Sequence, residues 1–344
     1  MNEPPLDRVA LGRFLADAGV CAGPVDAHRI GEGYSNLTYL VDDGSRRVVL
    51  RRPPAPPYGP RAHDVVREAR IQRALAPTPV PVATILAVEP TGSVLGVPFY
   101  VMEHLDGAVV TTHTPPAIDT PAGRRGLAES LVDTLVELHR VDASAVGLGD
   151  LGRPSSDVEG YLRRFARIID PESHGLDGEF GAVLELLLRR PPVPREATIV
   201  HGDFRLGNVM SAVDGPPRLL GVLDWELTTL GDPLRDLGYL LATYAVPGEP
   251  INSLTEMSTA TLAEGYPGRD DLAQRYADRS GRDLSDIGWY LAAAMWKVAV
   301  LYENQSRRAV VGVADPYFAV PGRAAGLVAA ARRLYESPFS WSLV

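Results

Sequence analysis

Alternating and helical periodicity divide this chain into two unlike parts. "LTYLVDD" (Leu37 to Asp43) and "RRVVLRR" (Arg46 to Arg52) have the apolar, β-branched character of strands, and "DDGS" between them is a hairpin turn signal. "RRPPAPPYGP", from Arg51 to Pro60, can enter neither a helix interior nor a central strand and reads as a loop. In "AHDVVREARIQRAL" the apolar residues Val65, Ala69, Ile71 and Leu75 recur near helical spacing. "VPFYVMEHL" (Val97 to Leu105) predicts another strand, closed by Asp106 and Gly107. Beyond it the pattern becomes one of long amphipathic helices. Leu127, Leu131, Leu135 and Leu138 share one face of "GRRGLAESLVDTLVELH", and further helices are expected near 156–170, 176–190, 253–265, 284–306 and 322–336. The expectation is an α+β fold in two lobes: a small strand-rich lobe over residues 1–105 and a larger, mainly helical lobe over 106–344.

Composition narrows the function classes. At 344 residues the chain is long for one core and comfortable for two lobes. A net charge of −9 argues against nucleic acid as the partner, because phosphate contacts need clustered Lys and Arg. No apolar run approaches the roughly 20 residues that span a bilayer. "MNEPPLDRVA" carries acids and prolines where a secretory signal would be basic and then apolar. The one cysteine, Cys21, excludes an intrachain disulfide. A cytoplasmic protein with no membrane partner is the expectation.

The chemistry concentrates in "HGDFRLGNVM" (His201 to Met210) and "GVLDWE" (Gly221 to Glu226), polar stretches flanked by the strand-like runs "ATIV" and "RLLGVL". Asp203 and Asn208 are five residues apart, the spacing of a phosphoryl-transfer loop in which an Asp takes a hydroxyl proton and an Asn helps hold Mg²⁺. Asp224 follows 16 residues later, where a second metal-binding carboxylate would emerge. Single Asp and Asn residues often cap turns, but the three together at these spacings point to a site. "GEGYSN", Gly31 to Asn36, offers a glycine-rich turn between two strands, whose backbone N–H groups can approach phosphate through Gly31, Gly33, Ser35 and Asn36. Kinases grip phosphates with a strand lysine paired to a helix glutamate. Here Arg51 and Glu68 take those positions, Arg52 is an alternative to Arg51, and lysine is absent there.

"GEGYSNLTYLV", "VVLRRPP", "AHDVVREARIQRAL", "FYVMEHLDG", "HGDFRLGNVM" and "VLDWELTTLGDPLRDLGYLL" together resemble the aminoglycoside phosphotransferase/choline kinase superfamily. More narrowly, they resemble its branch similar to the kinase-like domain found with acyl-CoA dehydrogenase modules. The resemblance runs in order from about Gly31 to Leu241. It implies a two-lobed protein-kinase-like fold that binds ATP or GTP with Mg²⁺. By motif, Asp203 would be the catalytic base, and Asn208 and Asp224 the metal ligands. Met102, Glu103 and His104 would belong to a hinge whose backbone reads the purine.

Other residues carry open or plainer readings. His201 is read as a support for the loop, and Asp232 and Asp236 as structural carboxylates. Arg205 either neutralises the transferred phosphoryl or pairs with a nearby acid. Glu226 either reaches metal or substrate or is a surface acid. The aromatic residues of "WYLAAAMWKVAVLYENQSRR" read more readily as core than as a ligand site. The leading expectation is a small-molecule phosphotransferase acting on a hydroxyl. The rival is a catalytically weak nucleotide- or metabolite-binding module, motivated by arginine in the lysine position. A protein acceptor is disfavoured, because the Ala-Pro-Glu ending of an activation segment is missing. The superfamily implies polycationic antibiotics as acceptors, the narrower branch hydroxylated acyl chains or other metabolites.

Overall fold

The computed structural model describes residues 6–31, 36–54, 63–152, 158–170, 178–312 and 314–336. A five-stranded antiparallel sheet comes first. It is built from β1 (Asp26–Ile30), β2 (Leu37–Asp42), β3 (Arg47–Arg52), β4 (Ile85–Glu89) and β5 (Phe99–Glu103), in the order β1-β2-β3-β5-β4. The "DDGS" turn joins β2 to β3. Asp43 accepts the N–H groups of Ser45 and Arg46, while Gly44 takes φ +85°.

Strand alternation gives this sheet two faces with different duties. Val41, Val48, Leu50, Phe99 and Val101 pack on helix α1 (Arg8–Asp17) through Leu11 and Leu15. Asp7 caps α1 by accepting the N–H groups of Val9 and Ala10. This helix and strand β4 were not expected from periodicity. On the opposite face Tyr100 meets Val65 and Ala69 of α2 (Val65–Leu75), which Asp64 caps.

The remainder is mostly helical: α3 (Pro121–Arg140), α4 (Val158–Ile169), α5 (Gly178–Arg189), α6 (Leu234–Thr243), α7 (Arg269–Ser280), α8 (Ile287–Val310) and α9 (Arg323–Glu336). Leu127, Leu131, Leu135 and Leu138 of α3 are all buried in the large core, as their spacing requires. Four short strands, β6 (Thr198–Val200), β7 (Val209–Ser211), β8 (Leu219–Val222) and β9 (Thr229–Gly231), form two antiparallel pairs, β6-β9 and β7-β8. No helix among the described residues is long and apolar enough to cross a membrane.

Two expectations need correction. Arg51 and Arg52 are not loop residues: β3 runs through both, paired with Thr38 and Leu37. Of the proline stretch after them, only Pro53 and Pro54 fall within the described residues. The helix expected over 253–265 is instead a 3-10 segment, Thr255–Leu262, broken at Ser258. The Ser258 and Thr261 hydroxyls reach the carbonyls of Thr243 and Ala245, and also those of Thr255 and Ser258 three residues back, side-chain bonds that compete with regular helical bonding.

Candidate functional site

The choice between Arg51 and Arg52 follows from the pleat. Neighbouring residues of a strand point to opposite faces. Arg52 turns towards α1, with its guanidinium 5.5 Å from the Tyr39 ring centroid and donating to the Tyr39 hydroxyl at 3.3 Å. Arg51 turns towards α2 and the cleft, where its Nε lies 2.9 Å from Glu68 Oε2 and its Nη2 pairs with Asp224. Glu68 also accepts from Asn36 Nδ2 at 2.5 Å and from the Tyr100 hydroxyl at 3.2 Å, and Gln72 donates to that hydroxyl at 3.2 Å. Complete burial pushes the Glu68 carboxyl up to about 7, against the pull of the Arg51 charge. Of the glycine-rich turn, Gly31 (φ +74°) and Asn36 are placed at the ends of β1 and β2, whereas Gly33 and Ser35 lie outside the described residues.

The second half of the site hangs from the end of β6. His201 is fully buried and accepts at Nδ1 from the Asp203 N–H (3.3 Å), leaving Nε2 to donate to the Leu223 carbonyl (2.9 Å). It therefore bolts the Asp203 loop to the residue before Asp224, a supporting role. Gly202 has φ +88°, and a Cβ there would stand 2.8 Å from the Leu227 carbonyl oxygen, so glycine is required. Asp236, buried in the first turn of α6, accepts the N–H groups of His201 (2.6 Å) and Gly202 (2.8 Å). Burial works to raise its carboxyl, but the hydrogen bond and charge of His139 and these N–H groups hold it below the ordinary carboxylate range. Asp232 accepts the Leu234 N–H and the Tyr290 hydroxyl. Both acids are thus structural.

Asn208 Nδ2 donates to both the backbone carbonyl (2.9 Å) and the carboxylate Oδ2 (2.7 Å) of Asp203. Asp203 Oδ1 is buried and has no hydrogen-bond partner among the described residues, with Arg205 Nε standing 3.6 Å away. Of its two readings, Arg205 takes up the pairing with a nearby acid. Asp224 sits just past the β7-β8 hairpin in a left-handed conformation (φ 63°, ψ 67°), unusual for a residue with a side chain. That turn buries Trp225 and brings carboxylate oxygens of Glu68, Asp224 and Glu226 within 4.8 Å of one another. These hard oxygen donors, with the Asn208 amide nearby, are of a kind that suits Mg²⁺.

A cavity of about 340 Å³ joins the two halves. Val49, Arg51, Met102 and Glu103 line it from the sheet, His104 and Leu105 from the segment after β5, and Asn208, Met210, Leu223 and Asp224 from below. Residues from four separate parts of the sequence meet there.

Residues 26–274 match the phosphotransferase enzyme family, well over half of the chain. The chain belongs to that family. Among curated relatives of this chain, mouse acyl-CoA dehydrogenase family member 10 is 30% identical over 300 residues. The match takes in 85% of this chain but only 27% of that protein's length. A candidate aminoglycoside phosphotransferase from Ralstonia eutropha is 29% identical, with a TM-score of 0.76 over 96% of this chain and 97% of its own. A thermostable mutant of aminoglycoside phosphotransferase APH(4)-Ia, solved with AMP-PNP and hygromycin B, shares the fold at 18% identity and a TM-score of 0.61, over 96% and 99% of the two chains.

Sequence reading missed several contributors to this site. Tyr100 and Gln72 complete the surroundings of Glu68, and Tyr239 and Lys297 stand beside the Asp203 loop. Lys297 was hidden among the aromatic residues of α8. Trp289 and Trp296 on that helix are core, their indoles donating to the carbonyls of Leu187 and Phe180.

Proposed function

We propose that this chain moves the γ-phosphoryl of ATP or GTP onto the hydroxyl of a small molecule, with Asp203 as the catalytic base. The observation that carries the proposal is the bond from Asn208 to Asp203. It couples the cavity lined by Arg51, Asn208 and Asp224 to a carboxylate whose buried Oδ1 has no hydrogen-bond partner among the described residues. That oxygen is suited to accept the proton of an incoming hydroxyl. The nucleotide's purine would lie against the segment Met102 to His104, its phosphates towards Gly31, Gly33, Ser35, Asn36 and Arg51. The AMP-PNP bound by the APH(4)-Ia mutant supports a nucleotide donor. Asn208 and Asp224, with Glu226 in reach, would hold Mg²⁺, which supplies charge neutralisation at the phosphate oxygens.

The surroundings of Asp203 bear on the acceptor. Arg205 and Tyr239 stand beside it, Lys297 beside its neighbour Gly202, and the buried Asp236 is occupied by two backbone N–H groups and His139. This arrangement favours a neutral or anionic hydroxyl compound over a polycationic aminoglycoside.

The test is incubation with ATP or GTP and Mg²⁺ across a panel of hydroxyl compounds of differing charge. Transfer by the wild-type chain, abolished in Asp203→Ala while nucleotide still binds, is the expected result. Wild-type rates in Asp203→Ala would end the base assignment. Nucleotide binding with no transfer to any acceptor or to water would make the chain a binding module instead.

A further inference from the structure

Lys297 is the only lysine of the chain; every other one of its 34 Lys and Arg residues is an arginine. Even the phosphate-gripping position carries Arg51. The single exception is 5% exposed, midway along α8. Its Nζ donates to the Gly202 carbonyl at 3.1 Å and faces the ring centroids of Tyr239 at 4.4 Å and Phe165 at 5.8 Å. Among the described residues it has no carboxylate partner. A cation withdrawn from water onto one carbonyl and two rings is costly to bury, even with the cation–π attraction returned.

We propose that Lys297 is a positioning residue for Asp203, an inference that rests on the phosphotransfer reading above. The geometry is specific to the peptide groups that precede the base. Gly202 gives its N–H to Asp236 Oδ1 at 2.8 Å and its carbonyl to Lys297, while holding φ +88°. Opposite buried charges thus grip both ends of the residue before Asp203 and fix the direction in which its carboxylate leaves the chain. Tyr239, packed under the ammonium, stands beside Asp203, and after burial the Asp203 charge is the main influence holding its phenol well above the ordinary range. A compact ammonium can stand on one carbonyl between two rings, whereas arginine's broad planar fork would have to displace them. That accounts for a lone lysine in a chain otherwise built with arginine.

The test uses the full chain with water as the acceptor, following phosphate release from ATP. Lys297→Met removes the charge and nearly keeps the volume. Its kcat should fall between about 10- and 100-fold, as expected when a reacting group is misplaced, while calorimetric affinity for Mg²⁺·AMP-PNP stays within twofold. A merely structural lysine would lower the melting temperature and leave kcat of the folded protein unchanged. That result overturns the proposal. Should Lys297→Met fail to fold, chain labelled with ¹⁵N-lysine carries one side-chain ¹⁵N signal. That signal should shift in Asp203→Asn, and an unmoved signal refutes the coupling. Failure of the wild type to bind Mg²⁺·AMP-PNP or release phosphate would end the phosphotransfer reading instead, and the ¹⁵N comparison would still decide whether Lys297 senses Asp203.

Discussion

Arg51 on the central strand and Glu68 on α2 form an ion pair at 2.9 Å, with the glutamate fully buried and the arginine also joined to Asp224. One guanidinium therefore ties the sheet, the helix and the turn after β8 together. Arg51→Ala strands an uncompensated buried carboxylate, so the fold should lose about 3 kcal/mol in denaturant titrations. Mg²⁺·AMP-PNP affinity should fall as well. Arg52→Ala, on the opposite face, should leave nucleotide affinity unchanged. Equal losses from the two substitutions would contradict the assignment of Arg51 to the cleft.

The raised carboxyl of Glu68 predicts a pH signature in the metal-free protein. Burial lifts it from 4.5 to about 7, so the folded state holds a proton that the unfolded state gives up earlier. The contribution is complete below about pH 4.5 and is lost as pH rises through about 7. Between those limits wild type should lose stability relative to Glu68→Gln by an amount on the order of 3 kcal/mol. Parallel stability profiles for the two proteins would show that Glu68 titrates normally.

Asp236 accepts two successive backbone N–H groups at the start of the Asp203 loop. Asp236→Ala should cost about 3 kcal/mol and depress turnover with it, while Asp236→Asn should cost less by keeping one acceptor oxygen. Thermal and chemical denaturation compare them directly. A loss below about 1 kcal/mol in the alanine variant would mean that the loop has another anchor.

Asp224→Ala removes one of the three clustered carboxylates. Mg²⁺·AMP-PNP should bind about 10- to 100-fold more weakly, with nucleotide alone much less affected. Calorimetry with and without Mg²⁺ separates the two, and an unchanged metal-dependent affinity removes Asp224 from the metal site.

Much of the site was readable because its parts are local. The spacing of Asp203 and Asn208, the strand-turn-strand before Asp224 and the leucine stripe of α3 depend only on neighbours within a few residues, and the structure places each as periodicity requires. The helix expected over 253–265 failed for a reason outside periodicity: the Ser258 and Thr261 hydroxyls tie the segment to the carbonyls of Thr243 and Ala245 as well as to carbonyls of its own turns, and the backbone breaks at Ser258.

What the sequence by itself determined is the α+β character, the polar motifs and their order, and hence the family. What only the tertiary structure decided are relations across the fold: that Arg51 rather than Arg52 meets Glu68, that His201 joins Asp203 to Leu223, and that Lys297 reaches Gly202 from 95 residues away. The physical reason is the same for all three. Periodicity says that a side chain leaves one face of a strand or helix, but only the packing of that face against another element says what it will touch.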